Sequence, residues 1–281
     1  MITKLVILFT LTMSVAQAAD LRVLNWNTYM LPWPIKDSNQ KIRTPVIAEA
    51  LKGEDYDFVF MEEAFTGSFR DKVGKILKSE YPHQYYLGNY RILVPYFGSG
   101  VFVLSKHAFK VIDKVYYKKN CEASDCMAAK GAVLIESVLP SGRKIQIAST
   151  HLQSKEDAGP IRLEQMKQVK AMLDKNKKKG VPQFFIGDLN TDVTEPEFPK
   201  GLEIMGMNAT QLTGAYDHTN VIDCYKKPTA DKEWIDHMWV DKDTQLKDSS
   251  ISVRPISYEY KGKLCNASDH YAIEGVFTFA D

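Results

Sequence analysis

Six runs of apolar, strand-forming residues end in side chains that can do acid, base or metal chemistry. Asn25 and Asn27 close "LRVLNWN", Glu62 and Glu63 close "YDFVFMEE", and His151 closes "KIQIASTH". Asp188 and Asn190 end "PQFFIGDLN", Asp236 opens "DHMWV", and Asp269 and His270 precede "YAIEGVF". A strand buried in a core has no structural use for a terminal carboxylate or imidazole, because burying one unpaired costs several kcal/mol or shifts its pKa. The recurrence therefore points to one polar cleft shared by several strand ends. Carboxylates and amides suit a hard cation such as Mg²⁺, which takes oxygen ligands and keeps several waters. Such an ion neutralises phosphate charge while an imidazole takes the proton of an attacking water. The chemistry expected is metal-assisted hydrolysis of a phosphodiester, with Glu63 and Asn27 on the metal side and Asp236 orienting the imidazole.

The elements that must carry these residues read as strands over 21–27, 56–63, 100–106, 109–117, 131–139, 144–152, 182–190, 234–240 and 271–277. The segment "PIRLEQMKQVKAMLDKNKKK" repeats apolar residues at helical spacing after Pro160. Some strands feed helices and others are expected to pair as hairpins, for example 100–106 with 109–117. The layout predicts an α/β protein built as a two-sheet sandwich flanked by helices. No repeat or compositional break divides the chain, so residues 20–281 are expected to form a single domain.

Composition narrows the partners. The 281 residues include 36 basic and 35 acidic side chains, so no global positive field exists to hold nucleic acid regardless of sequence. "MITKLVILFTLTMSVAQAAD" has the layout of a signal peptide, a lysine then an apolar run then Ala16-Gln17-Ala18, which places residues 1–19 outside the mature protein. Export makes the four cysteines candidates for oxidation. Four cysteines allow three connectivities; the nearness of Cys121 to Cys126 makes that pair the expected one, with Cys224 and Cys265 as the second. "CEASDC" lacks the spacing of a zinc site.

Taken together, "NWNTYML", "MEEAF", "SGVFVLSK", "STHLQS", "IGDLN", "WIDHMWV" and "SDHYAI" resemble the secreted bacterial neutral sphingomyelinases, phospholipases C of the endonuclease/exonuclease/phosphatase superfamily. The resemblance implies a deoxyribonuclease I-like fold, a four-layer sandwich of two mixed sheets with helices outside, and hydrolysis of sphingomyelin to ceramide and phosphocholine. It implies Mg²⁺ or another divalent cation, with Asn27, Glu63 and Asp269 on the metal side. His270 would be the general base, Asp236 its partner and His151 a phosphate contact, while Asp188 and Asn190 would hold the phosphate and leaving group. His237 stands where relatives commonly carry an aromatic residue and is expected to pack away from Asp236 across the strand. An exported nuclease, a phospholipase C for another lipid and a non-catalytic binding module are the alternatives. Tyr258 and Tyr260 in a short hairpin, or Trp33 in "MLPWP", are the expected contacts with a phospholipid membrane. A secreted or periplasmic location follows from the N-terminal segment.

Overall fold

The structure, a computed structural model, describes residues 20–32, 35, 38–88, 98–117, 121, 123–221, 224 and 232–280. In chain order its elements are β1 (Leu21–Asn27), α1 (Gln40–Leu51), β2 (Phe58–Glu62), α2 (Gly67–Ile76), β3 (His83–Tyr86), β4 (Phe102–Ser105) and β5 (Phe109–Tyr116). Then come β6 (Gly131–Val138), β7 (Lys144–His151), α3 (Gly159–Asn176), β8 (Gln183–Asp188), α4 (Glu197–Met205), β9 (Met207–Ala209) and β10 (Leu212–Thr213). The chain finishes with β11 (Asp236–Asp241), β12 (Leu246–Arg254), β13 (Ser257–Tyr260), β14 (Lys263–Asn266) and β15 (Ala272–Phe279).

Two mixed sheets face each other. One runs β10-β12-β15-β1-β2-β4-β3 and the other β5-β6-β7-β8-β11-β9. β1 and β2 are parallel in the first sheet, β7 and β8 in the second, and most other neighbours are antiparallel. Side-chain alternation sorts the core into layers. Val23, Phe58, Phe60, Ile147, Phe184, Ile186, Met238 and Phe277 fill the space between the sheets. The opposite face of the first sheet packs Leu24, Val59 and Met61 against Ile47 and Leu51 of α1 and Val73 of α2. The outer face of the second packs Phe185 and Trp239 against Met166, Val169 and Leu173 of α3. The result is helix, sheet, sheet, helix, as expected.

Alternation also decides which polar residues point inward. The inward series Val23, Asn25, Asn27 on β1 continues as Phe58, Phe60, Glu62 on β2, Phe184, Ile186, Asp188 on β8, and Asp236, Met238, Val240 on β11. On β7, Ile145 and Ile147 are followed by Ser149 and His151. At one end of the sandwich the inter-sheet layer therefore turns from apolar to polar, and the cleft sits there.

Two expectations fail. The strands 100–106 and 109–117 do not pair: β4 bonds to β2 and β3, whereas β5 bonds to β6 in the other sheet. Lys106 and His107 instead carry the chain across the sandwich, where Ser105 Oγ donates to the His107 carbonyl. The hairpin β13–β14 exists, with Lys261 and Gly262 at positive φ in its turn. Its tyrosines, however, do not face outward. Tyr258 is opposite Cys265, is only 8% exposed and packs in the α1 layer, with Tyr260 partly buried beside it. Period two places Glu259 and Leu264 on the outer face instead, and Leu264 is 79% exposed. Trp33 and the N-terminal residues 1–19 lie outside the described residues. Disulfides join Cys121 to Cys126 and Cys224 to Cys265, and the second pins the hairpin. Among the described residues no helix is long and apolar enough to cross a membrane.

Candidate active site

The core of the cleft is a dyad. His270 Nδ1 lies 2.8 Å from Asp236 Oδ2, and its Nε2 lies 3.7 Å from Asp188 Oδ2. The segment that presents it is fastened on both sides: Ser268 Oγ donates to the Asn27 carbonyl at 2.6 Å, and the Trp26 indole donates to the His270 carbonyl at 3.0 Å. His270 is 9% exposed. Burial alone would depress its pKa, but the charges of Asp236 and Asp188 outweigh that and raise it well above the usual value.

Asp188 is the meeting point. It accepts the Asn27 amide at 2.8 Å, stands 3.4 Å from His151 Nε2, and takes the Asn190 backbone N–H at 3.0 Å. Its closeness to His151 follows from β7–β8 register, in which the two residues are partners. Gly187 permits that approach, since a Cβ there would stand 1.9 Å from the Thr150 carbonyl. Asn190 adopts φ 48° and reaches back to the Leu152 carbonyl at 3.2 Å. Burial lowers the His151 pKa to about 4, so this ring is neutral near pH 7.

Glu62 and Glu63 part company. Glu62 ends β2 pointing between the sheets; burial, then the charges of Asp236 and Asp188, raise its pKa well above the carboxylate range. Glu63 follows in the left-handed region at φ 50°, a strained state for a non-glycine residue that turns its carboxylate into the cleft. Burial and then the facing Asp269 raise Glu63 to about 7. Its Oε2 is buried without a protein partner, and the Asn27 amide reaches Oε1 at 3.4 Å. Two mutually repelling buried carboxylates with an unpartnered oxygen fit a divalent cation. Asn27 meets Glu63 through its amide nitrogen while Oδ1 accepts from Tyr29 N–H; a half-turn of the amide exchanges the two atoms. Asp188, Asp236 and His270 also bring ligand atoms within 4.8 Å of one another, but there the imidazole already bonds Asp236.

The expected site residues thus converge, with Asn25 and Glu62 beneath the cleft, and, as expected, His237 packs away from Asp236. That ring is buried on the helix side, stacked 5.8 Å from Trp234, with Nε2 2.8 Å from the Thr191 carbonyl. Burial depresses its pKa to about 4. The unfolded chain therefore binds this proton first as pH falls, and up to about 3 kcal/mol of stability is lost between pH ~6.5 and ~4. Melting curves should show His237→Phe losing less stability than wild type over that interval; an equal loss would contradict the neutral assignment.

Three cationic residues escaped the sequence reading. Lys130, buried at the cleft wall, pairs with Asp125 at 2.7 Å and donates to the Leu152 carbonyl. Asp125 sits in the loop closed by Cys121–Cys126 and also accepts from Ser154 N–H. Its carboxyl is held at about 2: burial opposes this, but Lys130 and His151 prevail. Arg43 is fully buried and donates to the carbonyls of Ser38, Thr28, Tyr29 and Ala267. It joins the segment after Asn27 to the one before Ser268. Arg162 similarly bridges the loops after β7 and β8, bonding the Gln153 and Lys155 carbonyls and Glu197. Arg43→Met should orphan several buried carbonyls and lower unfolding free energy by at least ~3 kcal/mol, read as a urea midpoint shift. A midpoint within error of wild type would remove Arg43 from this role.

The cleft holds about 280 Å³ and has two kinds of wall. Glu63, Asp269, His270, Asp188, His151 and Asn190 line its floor, Asp125 and Lys130 stand at the wall, and Leu31, Ile35, Phe65 and Met127 contribute apolar surface, with Ile35 and Met127 exposed. A larger cleft at the far ends of β8 and β11 surrounds Lys177, which pairs with Asp241 and Asp243, and no histidine lines it.

Comparison with known proteins places these features in a family. A phospholipase C of Staphylococcus aureus is 28% identical over 91% of this chain and 86% of its own length. A sphingomyelinase C of Bacillus cereus is 27% identical over 82% of this chain and 78% of its own. The crystal structure of a beta toxin double mutant from Staphylococcus aureus, with bound magnesium ions, superposes with a TM-score of 0.78 at 27% identity, covering 92% of this chain and 99% of that one. The profile of the Endonuclease/Exonuclease/phosphatase family matches residues 24–270, and the chain belongs to that family.

Proposed function

We infer that the protein is an exported, Mg²⁺-dependent phosphodiesterase that hydrolyses sphingomyelin to ceramide and phosphocholine. The observation that carries the choice of an amphiphile is the cleft itself, where an acid and imidazole floor meets the apolar side chains of Leu31, Ile35, Phe65 and Met127. A nuclease would present cations along a groove; here Lys130, at the wall, is paired with Asp125. Relatives named phospholipase C and sphingomyelinase C support the lipid reading.

In this reading Nε2 of His270 takes the proton of the attacking water while Nδ1 keeps its bond to Asp236. Neutral His151 and the Asn190 amide donate to phosphoryl oxygens, and Lys130 adds positive charge at the wall. Glu63 and Asp269, with the Asn27 amide, would hold a divalent cation, which when bound would supply charge to neutralise the phosphate and the leaving oxygen. Asp269 is among the charges that raise His270, so engaging that carboxylate as a ligand would weaken its hold on the imidazolium proton. The two disulfides suit an oxidising compartment. Contact with the bilayer passes from the buried Tyr258 to Leu264 with Lys261 and Lys263, whose charged ends can reach phosphates.

The test is a substrate panel: mature protein with sphingomyelin vesicles, phosphatidylcholine vesicles or plasmid DNA, each with Mg²⁺ or EDTA. Mg²⁺-dependent phosphocholine release from sphingomyelin above the other two is the expected outcome; DNA cleavage without lipid hydrolysis would replace this reading by the nuclease.

A further inference from the structure

Three aromatic rings stand together on the chain segments that flank His270. Tyr271 directly follows His270, and Tyr216 and His218 come from the loop that leads into Asn220. Ring centroids lie 5.2 Å apart for Tyr216 and Tyr271, 5.7 Å for His218 and Tyr271, and 6.4 Å for Tyr216 and His218. Interplanar angles of 64°, 57° and 58° make the three planes a corner rather than a stack. The loop is laced to the catalytic segment: Tyr271 N–H donates to the Thr219 carbonyl and Val221 N–H to the Asp269 carbonyl, each at 2.8 Å, and Asn220 bridges His270.

Core packing does not account for these rings. Neither tyrosine belongs to the three apolar clusters of the described residues, and Tyr216 is 37% exposed. Beside them the Asp217 side chain is 84% exposed, with one oxygen 2.8 Å from His218 Nδ1. Electron-rich faces set at steep angles next to a carboxylate suit a cation that cannot be held by hydrogen bonds. A quaternary ammonium is such a cation: its charge is spread over methyl groups that contact ring faces, whereas a primary ammonium keeps its water.

We propose that Tyr216, His218 and Tyr271, on the loop and segment laced to His270, form a quaternary-ammonium site that takes the choline end of a phosphocholine lipid. Its use in turnover rests on the sphingomyelinase reading above. Two sources share the chemistry: the choline of the lipid being hydrolysed, two methylenes beyond its phosphate ester, and that of a neighbouring choline lipid at the bilayer surface.

The experiment compares wild type, Tyr216→Leu and Tyr216→Phe on vesicles of sphingomyelin and of ceramide phosphoethanolamine. Tyr216→Leu should lower the choline-over-ethanolamine ratio of kcat/KM by about 10-fold, and Tyr216→Phe, which keeps the ring face, should restore most of it. A matching drop on soluble nitrophenyl phosphocholine assigns the site to the substrate's own choline; a drop confined to vesicles assigns it to a neighbouring lipid. An unchanged ratio, or equal loss on both headgroups, overturns the proposal. Binding is read separately by titrating tetramethylammonium chloride, with ethanolammonium as control, and following the His218 ring protons by NMR. Shifts with tetramethylammonium alone uphold the site even where no lipid is hydrolysed, which would then count against the sphingomyelinase reading. No shift in wild type removes the site.

Discussion

His270→Ala is expected to lower turnover at saturating Mg²⁺ by at least ~100-fold, the usual loss for a missing general base. The same substitution leaves Asp236 and Asp188 as buried anions without their imidazole, and losing one partner of such a group costs roughly 3–5 kcal/mol. Activity and stability would then fall together, which by itself distinguishes little. The double variant His270→Ala with Asp236→Asn removes one of those charges and should regain stability without regaining activity. Asp236→Asn alone keeps the base and loses its orienting charge, so its deficit should be smaller than that of His270→Ala. Near-wild-type turnover in His270→Ala would place the base elsewhere.

Glu63→Gln should have opposite effects on activity and stability. The carboxylate is buried, repelled by Asp269 and held at about 7, so an ionised Glu63 opposes folding in the absence of a cation at pH 8. By the sign of linkage, a carboxyl with a raised pKa contributes stability below its unfolded value and loses it as pH rises toward the folded value. Glutamine removes that charge, and in EDTA at pH 8 the variant should be more stable than wild type by about 1–3 kcal/mol. It also removes an anionic oxygen ligand, and turnover at fixed Mg²⁺ should fall by at least ~100-fold. Wild-type melting temperature should rise with added Mg²⁺ and that of the variant should not, because only a bound ligand stabilises by mass action. Equal Mg²⁺-induced shifts would move the metal away from Glu63.

Much of this arrangement is legible in the sequence because buried strands carry a strong local signal. β2 and β8 are buried along their whole length, so the acids at their ends stand out against apolar runs. Pairing is harder to read. β4 and β5 follow each other closely yet enter different sheets, and three residues that link sheets look like three residues of a hairpin loop. β12, "LKDSSISVR", has its outer residues exposed and reads as polar chain until β15 is known to lie beside it. The hairpin around Tyr258 and Tyr260 is legible but its covered face is not, since which face of a two-stranded ribbon is buried depends on α1, far away in sequence. Arg43, Arg162 and Lys130 are the clearest omissions. A lysine or arginine in a helix or loop is ordinarily solvated, and what distinguishes Arg43 is Ala267, a contact 224 residues away.

In the proposed reaction water, activated at His270 beside a cation site at Glu63, attacks phosphorus in a choline sphingolipid. Hydrolysis of sphingomyelin vesicles in ¹⁸O-labelled water, followed by mass spectrometry of both products, tests it directly. One heavy oxygen in phosphocholine, none in ceramide, and no product in EDTA is the predicted result. Label in the ceramide hydroxyl, or undiminished hydrolysis in EDTA, would contradict it.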